Sequence, residues 1–169
     1  LCLELVAKAV RDERILQRLA IPEHAWDLIR ESWTRRDASL YGRFDLAYDG
    51  QGPAKLLEYN ADTPTALYEA SVFQWDWLED AIERNVLPAA ADQFNSLHEA
   101  LIGALKAQRG HFTALTPPMH FACMRGSDED LGLVGYLAAC AQEAGFAPKI
   151  LAIEDIGSRG DGPFVDLQE

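Results

Sequence analysis

The chain has 169 residues, 49% of them hydrophobic, with 15 Lys and Arg against 27 Asp and Glu for a formal net charge of −12. The apolar share can build a core, so disordered, collagen-like and low-complexity classes are excluded. The acidic balance argues against a general nucleic-acid binder, which needs a basic footprint; it suits cationic partners such as metal ions, polyamines or basic peptides, or serves solubility alone, so charge by itself names no function.

The first 36 residues read as helical. Leu3, Val6, Val10, Ile15 and Leu19 keep a period near 3.6, and Pro22 opens a second helix carrying Trp26, Ile29 and Trp33. From Tyr41 the period becomes two. Tyr41–Tyr48 is a predicted strand, Asp49-Gly50-Gln51-Gly52-Pro53 a turn, and Ala54–Asn60 the return strand of a β-hairpin. A helix is expected from Ala66 to about Glu83 and another from about Asp92 to Gln108. Pro117-Pro118 then introduces an apolar strand, Met119–Met124. Helix Asp128–Ala144 stops at Gly145, and Lys149–Ile153 is a second apolar strand. Strand, helix, strand is a βαβ unit, which implies parallel pairing. The reading is an α/β chain in three segments: N-terminal helices (1–40), hairpin, loop and helix (41–83), and an α/β segment (84–169).

Cys2, Cys123 and Cys140 are odd in number and lack metal-ligand spacing, so a reducing compartment fits better than a disulfide scaffold, and the apolar surroundings of Cys123 and Cys140 suit small buried hydrophobes. Neither a leader nor an apolar run of about 18 residues is present, so a cytoplasmic protein with no membrane partner is expected. The chain opens at Leu1, already in a helical pattern, and stops at Glu169 soon after a strand. It is expected to be a piece of a longer polypeptide.

The hairpin carries the chemistry. Residues two apart in a strand share a face, so Arg43 goes with Asp45 and Glu58 with Asn60. If Gly50–Pro53 is a four-residue loop with Asp49 opposite Ala54, Asp45 faces Glu58 and Arg43 faces Asn60. A two-residue slip keeps all four together, and a one-residue slip separates them. Opposed carboxylates repel unless a cation lies between them. Asp, Glu and Asn oxygens suit Mg²⁺ held by a few side chains plus substrate phosphates, and the Arg43 fork suits a phosphoryl or carboxylate oxygen. The plainer alternative is a solvated face with ordinary salt bridges. Against it, Phe44, Leu46, Leu56 and Leu57 suggest strands packed on at least one side.

In the loop Asn60-Ala61-Asp62-Thr63-Pro64-Thr65, the threonines suit helix capping. A helix N-terminus also offers amides to an anion, so Thr63 or Thr65 could contact substrate. Gly126-Ser127-Asp128-Glu129-Asp130 reads as a helix start capped by Ser127 or Asp128, or as a peptide-ammonium contact by Glu129 or Asp130. Trp33, Phe73, Trp75 and Trp77 are expected to pack between helices. His24, His98, His111 and His120 are expected to be structural, and Gly157, Gly160 and Gly162 to form a surface turn.

Three strings together carry a resemblance: Tyr41-Gly42-Arg43-Phe44-Asp45, Lys55-Leu56-Leu57-Glu58-Tyr59-Asn60-Ala61-Asp62-Thr63-Pro64-Thr65 and Glu69-Ala70-Ser71-Val72-Phe73-Gln74-Trp75. They resemble the glutathionylspermidine synthase family, tightly over about residues 41–80 and loosely through Glu129-Asp130, Tyr136-Leu137 and Ala144-Gly145. The resemblance implies an ATP-grasp carbon–nitrogen ligase with a pre-ATP-grasp α/β region, of which this chain is a part. In that family Mg-ATP phosphorylates the glycine carboxylate of glutathione, and a spermidine amine attacks the acyl phosphate. By the same resemblance Arg43 is the transition-state arginine, and Asp45, Glu58 and Asn60 are magnesium ligands. Thr63, Thr65, Glu129 and Asp130 contact the peptide. The family's ATP-binding lysines lie downstream of the matched region, so this piece alone is expected to be inactive. Where aligned relatives carry Thr, this chain has Val134. Other readings are a silent relative that binds peptide or metal as an interaction domain and, more weakly, a metal-dependent hydrolase.

Overall fold

Asp12 splits the N-terminal helical pattern. In a computed structural model, which describes residues 1–61, 65–160, 162 and 164–167, helix α1 (Cys2–Arg11) stops where Asp12 turns extended at φ −116°, ψ 105°. The Asp12 carboxylate accepts from the Arg14 amide at 3.0 Å and starts α2 (Glu13–Arg18). A short carboxylate that can cap a new helix competes with continuation of the old one. After Pro22 and a single 3₁₀ turn comes α3 (Trp26–Arg35), whose first residue donates its indole N–H to the Ile21 carbonyl at 2.9 Å.

The chain divides into two units, Leu1–Asp62 and Thr63–Glu169, a boundary inside the 41–83 segment. The first holds α1 to α3 and an antiparallel hairpin, β1 (Arg43–Ala47) with β2 (Lys55–Asn60), shorter than the expected strands. Its buried apolar residues are few, Val10 and Leu16 among them. The packing expected of the hairpin leucines does not occur within this unit. Phe44, Leu46, Leu56 and Leu57 are exposed, the last at 69%, because two strands alone leave side chains uncovered.

In the second unit a π-helical turn, Glu69–Phe73, runs into α4 (Gln74–Glu83). Helix α5 (Leu97–Arg109) begins five residues later than expected. Asp92 accepts from the Gln93 amide at 2.8 Å, and Asn95 bonds to the Gln93 side chain at 2.8 Å, so local polar bonds replace the first helical turn. Strand β3 (Pro118–Cys123), helix α6 (Asp128–Glu143) and strand β4 (Ala147–Ala152) make the anticipated βαβ unit, parallel from Pro118↔Ala147 to Cys123↔Ala152. Gly145, at φ +92°, ends α6. Phe146 N–H bonds Ala141 C=O at 3.0 Å and Gly145 N–H bonds Gln142 C=O at 3.0 Å, a double closure that drives Phe146 into the core. Leu101, Ile102 and Leu105 of α5 and Tyr136, Cys140 and Ala141 of α6 complete that core. A short antiparallel ladder, β5 (Gly157–Ser158) with β6 (Phe164–Val165), follows.

Phe73, Trp75 and Trp77 depart from expectation, being 51%, 41% and 62% exposed, because α4 buries its Leu78–Ala81 side instead. Among the described residues no helix is long and apolar enough to cross a membrane. The fold is thus mixed α/β.

Candidate functional site

The hairpin pairs Arg43 with Asn60, Phe44 with Tyr59 and Asp45 with Glu58. Phe44 and Tyr59 stack at 4.5 Å, and strand alternation puts Arg43, Asp45, Glu58 and Asn60 together on the opposite face. The turn-side geometry differs from expectation. The register shifts between Asp45 and Leu46, so Leu46 meets Leu56 and Leu57 is left unopposed as a bulge. Asp49 is not in a strand; its carboxylate accepts the Gln51 amide at 2.9 Å. At the other end, a Cβ on Gly42 would sit 2.8 Å from Tyr59 Cε2 and 3.2 Å from the Asn60 carbonyl oxygen. Only glycine fits the approach that feeds Arg43 into β1.

Arg43 grips its neighbour with a fork. Nε donates to Asp45 Oδ1 at 2.7 Å and Nη2 to Oδ2 at 3.1 Å, with the two side chains 34% and 36% exposed. These bonds hold the Asp45 carboxyl below its ordinary value. The guanidinium is pushed upward, first by the bond to Asp45 and further by the charges of Asp45 and Glu58. Each carboxylate oxygen has two lone pairs, so a forked arginine leaves Asp45 with acceptor capacity. Asp45, Glu58 and Asn60 share this face, and their oxygens are of the type that would suit Mg²⁺ over a softer ion. No group of three His, Cys, Asp or Glu side chains suited to a metal occurs among the described residues; the hairpin set comprises two carboxylates and one amide.

In the second unit Thr65, Glu129 and Asp130 line one cleft of about 140 Å³. Tyr68, Phe73 and Leu133 supply apolar wall. Glu69 and Asp128 bring the carboxylates among the described lining residues to four, and none of those lining residues is Lys or Arg. Such a lining attracts an ammonium and repels an anion. Ser127 caps α6, its hydroxyl accepting the Asp130 amide at 3.3 Å, which fixes the acidic first turn at the cleft. Behind the wall, Tyr68 stacks on Tyr136 at 5.3 Å, and the Tyr136 hydroxyl lies 3.0 Å from His98 Nδ1. Burial pushes the Tyr136 phenol up to about 12. Thr63 lies outside the described residues.

Residues 1–169, the whole chain, match the family model described as glutathionylspermidine synthase pre-ATP-grasp. The chain belongs to that family. It is 39% identical over 176 aligned residues to a Haemophilus influenzae protein provisionally named an acid–amine ligase, covering 100% of this chain and 42% of that protein. It is 28% identical over 161 residues to the bifunctional glutathionylspermidine synthetase/amidase of Escherichia coli, covering 94% of this chain and 24% of the relative. Trypanothione synthetase of Crithidia fasciculata is 33% identical over 103 residues, 53% of this chain and 16% of the relative. The chain thus spans less than half the length of these curated relatives.

Within this pre-ATP-grasp chain, sequence reasoning missed Tyr68, Glu69 and Gly132, all of which line the cleft. Glu69 stands in the third resemblance string and Gly132 is an interior glycine of a helix, signals that single them out only once the cleft is seen.

Proposed function

We propose that this chain is part of an ATP-dependent carbon–nitrogen ligase. The reaction joins the carboxylate of a peptide such as glutathione to an amine such as spermidine through an acyl phosphate. One observation carries the reading: the register gathers Arg43, Asp45, Glu58 and Asn60 on one face, an arginine fork beside three oxygen ligands. The family and the ligase and synthetase names of its relatives support it.

Asp45, Glu58 and Asn60 would hold Mg²⁺ in this reading, and the chemistry it would supply there is charge neutralisation at the ATP phosphates. Arg43, oriented by its two bonds to Asp45, turns its guanidinium charge and its N–H groups outside that pair toward the oxygens of the γ-phosphoryl group as charge moves onto them. The peptide carboxylate oxygen attacks the γ-phosphorus and ADP leaves. The amine nitrogen then attacks the acyl carbon, phosphate departs with the bonding electrons, and the nitrogen loses its proton to solvent. Thr63 and Thr65 orient the peptide, while Glu129 or Asp130 accepts hydrogen bonds from its ammonium; the acidic cleft lining supports that assignment. The nucleotide grip comes from outside this chain. Use of ATP and three unpaired cysteines support a cytoplasmic setting.

The test is ADP release by the complete protein with Mg-ATP, with and without glutathione and spermidine. ADP formed only with both establishes the ligase and its substrates. ADP formed with neither indicates an uncoupled ATPase. No ADP under any condition overturns the reading in favour of a silent binding relative.

A further inference from the structure

The Tyr68 ring lines the acidic cleft and is held from two sides. Phe73, at the end of the π-helical turn, meets it at 4.6 Å, and Tyr136 of α6 stacks on it at 5.3 Å with the planes 24° apart. Gly132, one turn before Tyr136 on α6, brings that helix close to the same ring, since a Cβ there would already stand 3.7 Å from Cε1. Tyr136 is 8% exposed and is not among the residues lining the cleft. It therefore reaches the cleft through Tyr68.

Volume alone does not call for a tyrosine at 136. Phenylalanine would present the same stacked face without burying a hydroxyl, which costs free energy unless it is hydrogen-bonded. The hydroxyl is answered by α5: it lies 3.0 Å from His98 Nδ1, with the two ring centroids 5.9 Å apart. Burial pushes the phenol up to about 12, so it stays neutral and is available to donate to that nitrogen. A ring bonded at its tip and stacked on its face has little freedom to slide or tilt. The plane it offers to Tyr68 is fixed with it.

We propose that Tyr136 is a positioning residue of the cleft. Anchored on His98, it sets the Tyr68 ring as the apolar wall that holds the ammonium-bearing end of a peptide against Glu129 and Asp130. The inference rests on the reading of this cleft as the peptide site of the ligase.

The experiment titrates glutathione into the complete protein by calorimetry, as wild type, Tyr136→Phe, Tyr136→Leu and Phe146→Leu, with turnover and thermal melting alongside. Phe146 is the control: it is 2% exposed, packs edge-on to Phe112 and does not line the cleft. Tyr136→Leu, which loses both stack and anchor, should weaken glutathione by up to about tenfold, the scale of an aromatic pair. Tyr136→Phe keeps the stack and should weaken it by about two- to threefold. In both, KM for glutathione should rise in step while kcat stays within about twofold, as expected when only binding is disturbed. Phe146→Leu should melt earlier yet bind as wild type does. Wild-type affinity in Tyr136→Leu overturns the inference and leaves the ligase reading standing. Equal weakening in Phe146→Leu also overturns it, because the effect would then belong to the core. Wild-type affinity in Tyr136→Phe alone removes the His98 anchor from the role, and should Tyr136→Leu fail to fold, that same result overturns the inference. If the wild type does not bind glutathione, the reading of the cleft and this inference fall together.

Discussion

Arg43 and Asp45, two residues apart on one strand, are joined by two hydrogen bonds of 2.7 and 3.1 Å, while Glu58 faces the same aspartate from the opposite strand. One carboxylate is thus answered by an arginine, and the other is presented to it as a like charge. The balance between these neighbours determines how the face responds to mutation, pH and metal.

Removing one carboxylate at a time should separate metal binding from folding. Asp45→Asn and Glu58→Gln are each expected to abolish Mg²⁺-dependent turnover of the complete protein. Their stabilities should diverge: Glu58→Gln relieves a cross-strand repulsion and leaves melting unchanged or slightly raised, whereas Asp45→Asn takes from Arg43 its partner and lowers it. Turnover and circular dichroism on both variants check this, and wild-type activity in either removes the metal assignment.

Lysine cannot reproduce a fork. Arg43→Lys keeps the charge but loses the paired geometry, so turnover should fall by roughly a hundredfold or more, the usual loss for one transition-state donor. A near-normal rate would make Arg43 structural.

The same pair predicts a pH response. Because the folded Asp45 pKa is lowered from its ordinary value of 3.8, the pair's contribution to stability is complete above that value. It is lost as pH falls through the lower folded pKa. Carboxyl NMR of Asp45 should therefore show a flat signal from neutrality down to mildly acidic pH, with titration displaced below that of Arg43→Ala.

Tyr136 should respond in the opposite range. Its folded pKa is raised from 10.0 to about 12, so its neutral form stabilises the fold below pH 10 and that contribution drains away as pH rises toward 12. Urea unfolding at pH 9 and pH 11 should show a steeper loss in wild type than in Tyr136→Phe, by up to about 1.4 kcal/mol per pH unit. At neutral pH the phenylalanine variant should lose about 1 kcal/mol through the broken bond to His98.

Glycine 42 gives a steric prediction. Gly42→Ala would bring a methyl to 2.8 Å from the Tyr59 ring and 3.2 Å from the Asn60 carbonyl, so the Tyr59 ring must move and the β2 backbone at Asn60 must give by a few tenths of an ångström. Overpacking of this kind costs about 1–3 kcal/mol, and the shift should weaken Mg²⁺ binding along with stability. Calorimetric Mg²⁺ titration of the variant checks this; unchanged affinity would show that the close approach does not set the register.

That Arg43, Asp45, Glu58 and Asn60 share a face was legible because alternation has a period of two; the turn did not fix the register, since its own pairing is one residue off and the bulge at Leu57 restores it. The bulge was not legible, since Leu56 and Leu57 are equally apolar and neither records which is left unopposed. The βαβ unit was legible from long periodic segments bounded by Pro117-Pro118 and Gly145. The π-helical turn was not, because over five residues its spacing is indistinguishable from an α-helix. Trp75 and Trp77 misled for another reason: aromatic residues at helical spacing signal burial, and α4 points them outward here, while Phe73, just before α4, lays its ring against Tyr68 at 4.6 Å with one face still exposed. The cleft lining needed the fold, as Thr65 and Gly132 are joined only when α6 packs beside the turn.

The extra residue at Leu57 partitions the hairpin into two halves that keep separate count. On the turn side Leu46 meets Leu56 and Ala47 meets Lys55; on the far side Asp45 meets Glu58 and Arg43 meets Asn60. Changes in the length of the Asp49–Pro53 turn can be taken up at this point of slack before they reach the charged face. The turn is thereby free to vary while Arg43, Asp45, Glu58 and Asn60 stay in step, and deleting Leu57 should transmit every such change straight into them.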